Sequence, residues 1–252
     1  MFKGKGRKKI IVFSFPRKKL ASAGMFISIS LLLLILAGPL SYLVSPGELY
    51  QVKIAIDPGH GGVDGGVSHN EVMEKDVNLK VALKLQKLLK EEGARVIMTR
   101  YQDDDVSDMF PSEKMSRYQR DVSGRIKLIN DSRVDFFVSL HLNSVSASHV
   151  RGSICFYNAT SEDSKRLAHS IQEHLNKVTG RNVKEGELLH QEAKPTTGIK
   201  ILNTTHPPGA LVEMGFMTNP RERELLQDGT YQADLARAIR DGMVSYQTES
   251  FD

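Results

Sequence analysis

Two histidines in this sequence closely follow apolar runs that are typical of buried β-strands. His60 lies in the segment IAIDPGHGG at residues 54–62, and His141 lies in SLHLN at residues 139–143. In α/β proteins, functional side chains gather where the carboxyl ends of the strands meet. The glycines around His60 allow a sharp turn and leave space beside the imidazole, but they lack the lysine and the spacing of a phosphate-binding loop. Both histidines are therefore candidate metal ligands.

A carboxylate is needed to complete such a site, and Glu74 is the first candidate. It stands in VMEKD at residues 72–76, just before a predicted helix, and Glu71 is an equally acidic neighbour. Two histidines and one carboxylate form a known catalytic zinc set that leaves one position for water. The spacing leaves alternatives open, because a histidine at the end of a strand is often structural and Glu74 could be surface charge.

A further carboxylate, Glu213, follows another apolar run in LVEMGF at residues 211–216. A glutamate in that position is costly to bury without a partner, so it needs a function or a compensating contact. The single cysteine, Cys155, lies in a predicted strand, and its being single excludes both an intramolecular disulfide and a cysteine-based zinc cluster.

Charge is distributed unevenly along the 252 residues. Residues 1–19 contain eight Lys or Arg residues and no acidic residue, whereas the rest of the chain contains 26 basic and 30 acidic residues. The net charge of +4 therefore divides into +8 for the first segment and −4 for the body. A mildly acidic body argues against nucleic acid as a partner.

Residues 20–44 carry no charge and are long enough to span a bilayer core of ~30 Å. We interpret residues 1–19 as cytoplasmic, residues 20–44 as a transmembrane anchor, residues 45–51 as a linker and residues 52–248 as the catalytic domain. The basic segment should stay inside, which places the catalytic domain outside the cell membrane. The rival interpretation is a cleaved signal peptide, which would secrete the same domain, but no good small-residue cleavage site supports it.

Strands alternate with helices along the body, which predicts a three-layer α/β domain. We expect a central mixed, mostly parallel sheet of about six strands flanked by helices, with residues 180–198 as a loop. Asp76 is expected to be the N-cap of the first helix, and Asn219 that of a later one with Glu222 as its capping-box partner. The predicted strands cover residues 52–56, 94–98, 136–140, 153–157, 199–202 and 210–212, and the main helices cover residues 76–92, 113–130, 163–178 and 231–246.

These segments occur together in one known family. The chain resembles the zinc-dependent N-acetylmuramoyl-L-alanine amidases of bacterial cell walls, the amidase-3 family, across residues 52–246. Leu142 departs mildly from the family pattern, in which a small residue is common after the second histidine. This difference concerns the fine fit of the substrate and not the metal. The matching segments, in the family's order, are IDPGHGG at residues 56–62, EKDVNL at 74–79, MTR at 98–100, SLHLN at 139–143 and LVEMGFMTN at 211–219.

The resemblance implies that His60, Glu74 and His141 bind Zn²⁺ and that Glu213 is the catalytic carboxylate. It favours Glu74 over Glu71, because the family's ligand directly precedes a Lys-Asp pair. In the mechanism that it implies, Glu213 takes a proton from the attacking water and later passes one to the leaving amine. The bond cleaved would join the lactyl carbonyl of N-acetylmuramic acid to L-alanine in peptidoglycan.

The architecture, a single amidase domain that follows one anchor and has no wall-binding repeats, is similar to that of the germination-specific branch of this family in spore formers. That branch removes peptides from spore-cortex muramic acid, so that muramic δ-lactam can form. The alternatives are a vegetative cell-wall amidase and a non-catalytic peptidoglycan-binding or scaffold domain, although all four site residues are present. A zinc peptidase with a His-Glu-x-x-His helix is excluded, because the motif does not occur. The need for an activating protein partner stays open.

Overall fold

The computed structural model describes residues 47–181, 188–190 and 192–249. The predicted cytoplasmic segment and membrane anchor, residues 1–44, lie outside the described residues. Among the helices that are described, none has the length and apolar character needed to cross a membrane. The described residues all belong to one compact unit.

A six-stranded mixed sheet forms the centre of the fold, as predicted. All neighbouring strands are parallel except β10 and β7, and β1, β5 and β10 are almost fully buried, as expected for strands that are covered on both faces. In spatial order the strands are β4 (Arg95–Met98), β1 (Lys53–Pro58), β5 (Phe136–Asn143), β10 (Gly209–Phe216), β7 (Ile154–Asn158) and β9 (Lys194–Thr196). Two short ladders pair β2 (Ser68–His69) with β3 (Val72–Met73), and β6 (Val150–Gly152) with β8 (Leu188–His190).

Helices cover both faces of the sheet and complete the three layers. They are α1 (Glu74–Glu91), α2 (Arg117–Ser132), α3 (Glu162–Thr179), α4 (Lys200–Thr204), α5 (Pro220–Leu225) and α6 (Gly229–Thr248). Helices α1, α3 and α6 share one apolar cluster, which includes Ile54 and Ile56 of β1. Helices α2 and α4 share the other cluster, which includes Ala55 of β1. The alternation along β1 shows that the two clusters lie on opposite faces of the sheet.

The predicted strand at residues 199–202 is wrong, because this segment contributes to the short helix α4. Ile201 and Leu202 pack against Ile126 and Ile129 of α2. An apolar run of this length is compatible with either a strand or a buried helix, so its packing partner decides. The region predicted as a loop, residues 180–198, contains β8 and the edge strand β9.

Helix α5 begins as predicted at the N-cap Asn219, but the capping-box role expected for Glu222 is wrong. The carboxylate of Glu222 accepts hydrogen bonds from the backbone N–H groups of Gly152, at 3.0 Å, and Phe216, at 2.8 Å. Glu222 is fully buried, where a carboxylate needs such compensation. Its contacts tie the end of β10 to β6.

Candidate metal centre

The three predicted ligands lie together at the carboxyl edge of the sheet. His60 follows β1, His141 lies in β5, and Glu74 is the first residue of α1. Helix α1 begins before Asp76, so the prediction that Asp76 is its N-cap is wrong. One ligand atom from each of the three residues lies within 4.8 Å of the other two, and no other such group of three occurs in the described part of the chain.

Glu74 is the centre of this cluster. Its Oε1 lies 3.2 Å from Nε2 of His60 and 3.0 Å from Nδ1 of His141. The backbone N–H groups of Leu142 and Val67 each donate to the carboxylate at 2.9 Å. Burial alone would raise the pKa of the Glu74 carboxyl, but the two imidazoles hold it well below its ordinary value. The carboxylate is therefore ionised, as a metal ligand must be.

Asp64 holds the ring of His60 from the other side. Its Oδ2 lies 2.8 Å from Nδ1 of His60, and its Oδ1 accepts a hydrogen bond from the N–H of Gly66 at 3.0 Å. A carboxylate that binds one ring nitrogen directs the other nitrogen, here Nε2, toward the ligand cluster. Burial alone would lower the pKa of His60, but the carboxylates of Glu74 and Asp64 raise it to about 9. Asp64 is not among the residues predicted from the sequence.

The turn that carries His60 is held by a buried arginine from α2. His60 has a φ of 60°, in the left-handed region that a non-glycine residue adopts only at an energetic cost. The Arg125 guanidinium donates to the carbonyl oxygens of His60, at 2.6 Å, and Pro58, at 2.7 Å. It also pairs with Asp57 at 2.8 Å and with Asp121 at 2.7 Å. The strained turn is thus fixed to a buried ion-pair network.

Arg100 connects two of the segments that carry the ligands. Its guanidinium donates to the carbonyl oxygens of Pro58, at 2.9 Å, and Gly59, at 3.0 Å, in the turn before His60. It also donates to the carbonyl oxygen of Lys75 at 2.8 Å, one residue beyond Glu74. One buried side chain therefore sets the distance between this turn and the start of α1.

Glu213 lies in β10 beside His141, its partner in the parallel register with β5. Its Oε2 is buried and has no hydrogen-bond partner among the described residues. Burial raises the pKa of Glu213 to about 7, against the opposing effect of the two nearby histidines. A buried carboxylate oxygen without a protein partner needs one from outside the chain, such as a water or an ion at this edge.

The donor set fits Zn²⁺, because two imidazole nitrogens and one carboxylate oxygen are usual for a catalytic zinc site. The two histidines line a groove of about 310 Å³, whose other wall comes from α2 and α4. A larger groove, of about 830 Å³, runs along α3 and contains none of the four candidate residues. The smaller groove is therefore the candidate active site.

A His-His-Glu cluster at the carboxyl edge of an α/β sheet, with a further buried glutamate beside it, defines a class of metal-dependent hydrolases. A profile of the family described as N-acetylmuramoyl-L-alanine amidase (Amidase_3) matches residues 54–245. The chain belongs to this family, which agrees with the resemblance seen in its sequence.

Two relatives and one further solved structure show how far the similarity extends. Over 199 residues the chain is 36% identical to the germination-specific N-acetylmuramoyl-L-alanine amidase of Bacillus subtilis (strain 168), covering 79% of this chain and 81% of that protein. The structure of the CwlD amidase from Clostridioides difficile in complex with the GerS lipoprotein has a TM-score of 0.70 at 35% identity, covering 80% of this chain and 100% of that one. The catalytic domain of CwlV from Bacillus (Paenibacillus) polymyxa has a TM-score of 0.65 at 27% identity. The match covers 78% of this chain and 98% of that one.

We expect Asp64→Asn to weaken zinc binding by about 10–100-fold, because loss of a charged partner of a ligating histidine has effects of this size. Calorimetric zinc titration of chelator-treated protein measures the affinity, and circular dichroism checks the fold. Asp108→Asn is the control, since Asp108 is exposed. Unchanged zinc affinity in Asp64→Asn would show that Asp64 does not orient the ring.

From the contacts of Asp57 we expect the protein to lose stability in acid. Its carboxylate accepts hydrogen bonds from Thr99 Oγ1 at 2.6 Å, Ser139 Oγ at 2.6 Å and Arg125 Nη1 at 2.8 Å. Burial alone would raise the pKa of Asp57, but the charge of Arg125 and these hydrogen bonds hold it below its ordinary value. A lowered folded-state pKa contributes stability that is complete above the unfolded pKa and is lost as the pH falls through the folded pKa.

The difference in unfolding free energy between the wild type and Asp57→Asn should therefore be largest near neutral pH and shrink below about pH 4. Urea unfolding of both proteins at several pH values, followed by circular dichroism, measures this difference. Asp131→Asn, at an exposed pair with Lys127, should differ little from the wild type throughout. A difference for Asp57→Asn that stays constant with pH would contradict the assigned titration.

Proposed function

We propose that the protein is a zinc-dependent amidase that hydrolyses the bond between the lactyl carbonyl of N-acetylmuramic acid and L-alanine in peptidoglycan. The observation that carries this proposal is the His60, Glu74 and His141 cluster with the unsatisfied carboxylate of Glu213 beside it. His60, Glu74 and His141 would hold the Zn²⁺. When bound, zinc polarises the attacking water and the scissile carbonyl.

Glu213 is the proposed general base and acid. A carboxyl with a pKa of about 7 can take a proton and return it near neutral pH. The proton moves from the attacking water to a Glu213 carboxylate oxygen and then to the nitrogen of L-alanine as the amide bond breaks. The products are a lactyl carboxylate on the sugar and a peptide with a free L-alanine amino terminus.

We propose the spore cortex as the substrate and formation of muramic δ-lactam as the later use of the product. The similarity to the germination-specific amidase of B. subtilis, over most of both chains, supports this assignment. The predicted anchor at residues 20–44 would hold the domain on the outer side of the cell membrane. Because the C. difficile relative was solved in complex with a lipoprotein, we include a protein partner in the proposal.

The test is hydrolysis of purified spore-cortex and vegetative peptidoglycan by the zinc-loaded full-length protein in mild detergent. We expect release from the cortex of peptides with a free L-alanine amino terminus, abolished by a chelator and restored by zinc. Preferred release from vegetative wall would contradict the spore role. Bound zinc without release from either polymer would indicate a missing partner, and failure to bind zinc would favour a non-catalytic scaffold.

A further inference from the structure

The groove beside the ligand cluster contains a lysine that is available to a substrate. Lys200, the first residue of α4, lines this groove together with His60 and His141. Its Nζ donates a hydrogen bond to Ser123 Oγ at 3.1 Å. Within the described part of the chain, no carboxylate lies within the 4.0 Å that defines an ion pair with this ammonium. Its charge is therefore not neutralised by a described neighbour.

The contact with Ser123 gives the ammonium a defined position. Ser123 is buried on α2 and donates its own hydroxyl hydrogen to the carbonyl oxygen of Gln119 at 2.8 Å. Its oxygen is therefore the acceptor for Lys200. An ammonium has three N–H donors, so two remain for a ligand in the groove.

The other charged groups of the groove are already engaged with one another. Asp57 and Asp121 both pair with Arg125, which is itself buried. Asp64 is bonded to His60. Apart from the proposed Zn²⁺, Lys200 is therefore the cation of the described groove lining that is available to an anionic substrate group.

We propose that Lys200 is a specificity residue that binds a free carboxylate on the peptide side of the scissile amide bond. This inference rests on the proposed amidase function and deepens it, because it defines the substrate as an acidic stem peptide. Hydrogen bonds between two charged groups are shorter and stronger than neutral ones. A peptide whose carboxylate is amidated offers the ammonium only a neutral oxygen, and it should be the poorer substrate.

The experiment uses the zinc-loaded full-length protein and two soluble muramoyl peptides that differ only in a free or amidated carboxylate on the residue after L-alanine. Wild-type kcat/KM should be about tenfold higher for the free carboxylate, mainly through KM. Lys200→Met should remove this preference by lowering kcat/KM for the free carboxylate, whereas Lys200→Arg should retain most of it. Lys127→Met, at an exposed lysine of α2 outside the groove, is the matched control and should behave as the wild type.

Two results would overturn this inference. One is equal kcat/KM for the two peptides in the wild type, and the other is a preference that survives in Lys200→Met. Cortex hydrolysis by the same preparations separates these results from failure of the amidase function, because a protein without that function releases nothing from the cortex. Zinc content and thermal unfolding of each variant show that the fold is intact.

Discussion

Replacement of Glu213 by glutamine is expected to abolish amide hydrolysis while zinc remains bound. The glutamine preserves the shape of the side chain but cannot accept the proton of the attacking water. Loss of a general acid–base catalyst lowers rates by about 10²–10⁴-fold. Zinc should remain, because the ligand cluster of His60, Glu74 and His141 is unchanged. The initial rate of peptide release and the zinc content by mass spectrometry measure the two effects.

Two further variants make the result specific. His141→Ala should lose both zinc and hydrolysis, since it removes a ligand. Glu224→Gln, at an exposed glutamate of α5, should keep both. Full activity of Glu213→Gln would refute the assigned role, and loss of zinc from that variant would show that Glu213 is instead a ligand.

Arg125→Met should destabilise the protein by about 3–5 kcal/mol, the cost of removing one partner from a buried ion pair. The change leaves Asp57 and Asp121 buried without their cation. It also removes the hydrogen bond that holds the carbonyl of His60, so zinc affinity should fall together with stability. Urea unfolding and zinc titration of the same preparation measure both quantities.

Arg117→Met is the matched control for this arginine. Arg117 pairs with Asp105 at a similar distance, 2.7 Å, but the arginine side chain is 54% exposed, whereas the Asp105 carboxylate is 5% exposed. Water screens the exposed arginine, so its removal should cost about 1 kcal/mol, well below the loss expected for Arg125→Met. Equal destabilisation by the two substitutions would contradict the importance assigned to burial of the Arg125 network. Lower stability of Arg125→Met with unchanged zinc affinity would separate the network from the metal site.

The sheet and the ligand cluster were predictable because their signals are local. Each of β1, β5 and β10 contains an apolar run, and the residue of interest follows that run. Parallel strands bring their carboxyl ends to one edge, so His60, His141 and Glu213 converge without any knowledge of the loops. The choice of Glu74 over Glu71 required the family resemblance, because spacing does not distinguish them.

The contacts that hold the site residues in place were not predictable, because they join residues that are distant in sequence. Arg125 contacts the carbonyl of His60 across 65 positions, and Arg100 reaches the carbonyl of Lys75 across 25. No periodic pattern encodes such contacts. Asp64 carried a weak signal, a carboxylate four residues after a candidate ligand, but the path of a glycine-rich turn cannot be read from sequence. The short helix α4 was missed because its apolar run fits either type of element.

The order of the strands has a consequence for the biogenesis of the enzyme. β10 is the last strand of the main sheet in the chain, yet it lies inside that sheet, between β5 and β7. The three candidate ligands all precede it, and Glu213 arrives with it. If the chain is translocated amino terminus first, as the proposed anchor implies, the segments with the candidate ligands emerge before the strand that carries Glu213. We therefore expect hydrolytic competence only after β10 has inserted between β5 and β7, and a chain truncated before Gly209 should be inactive toward peptidoglycan.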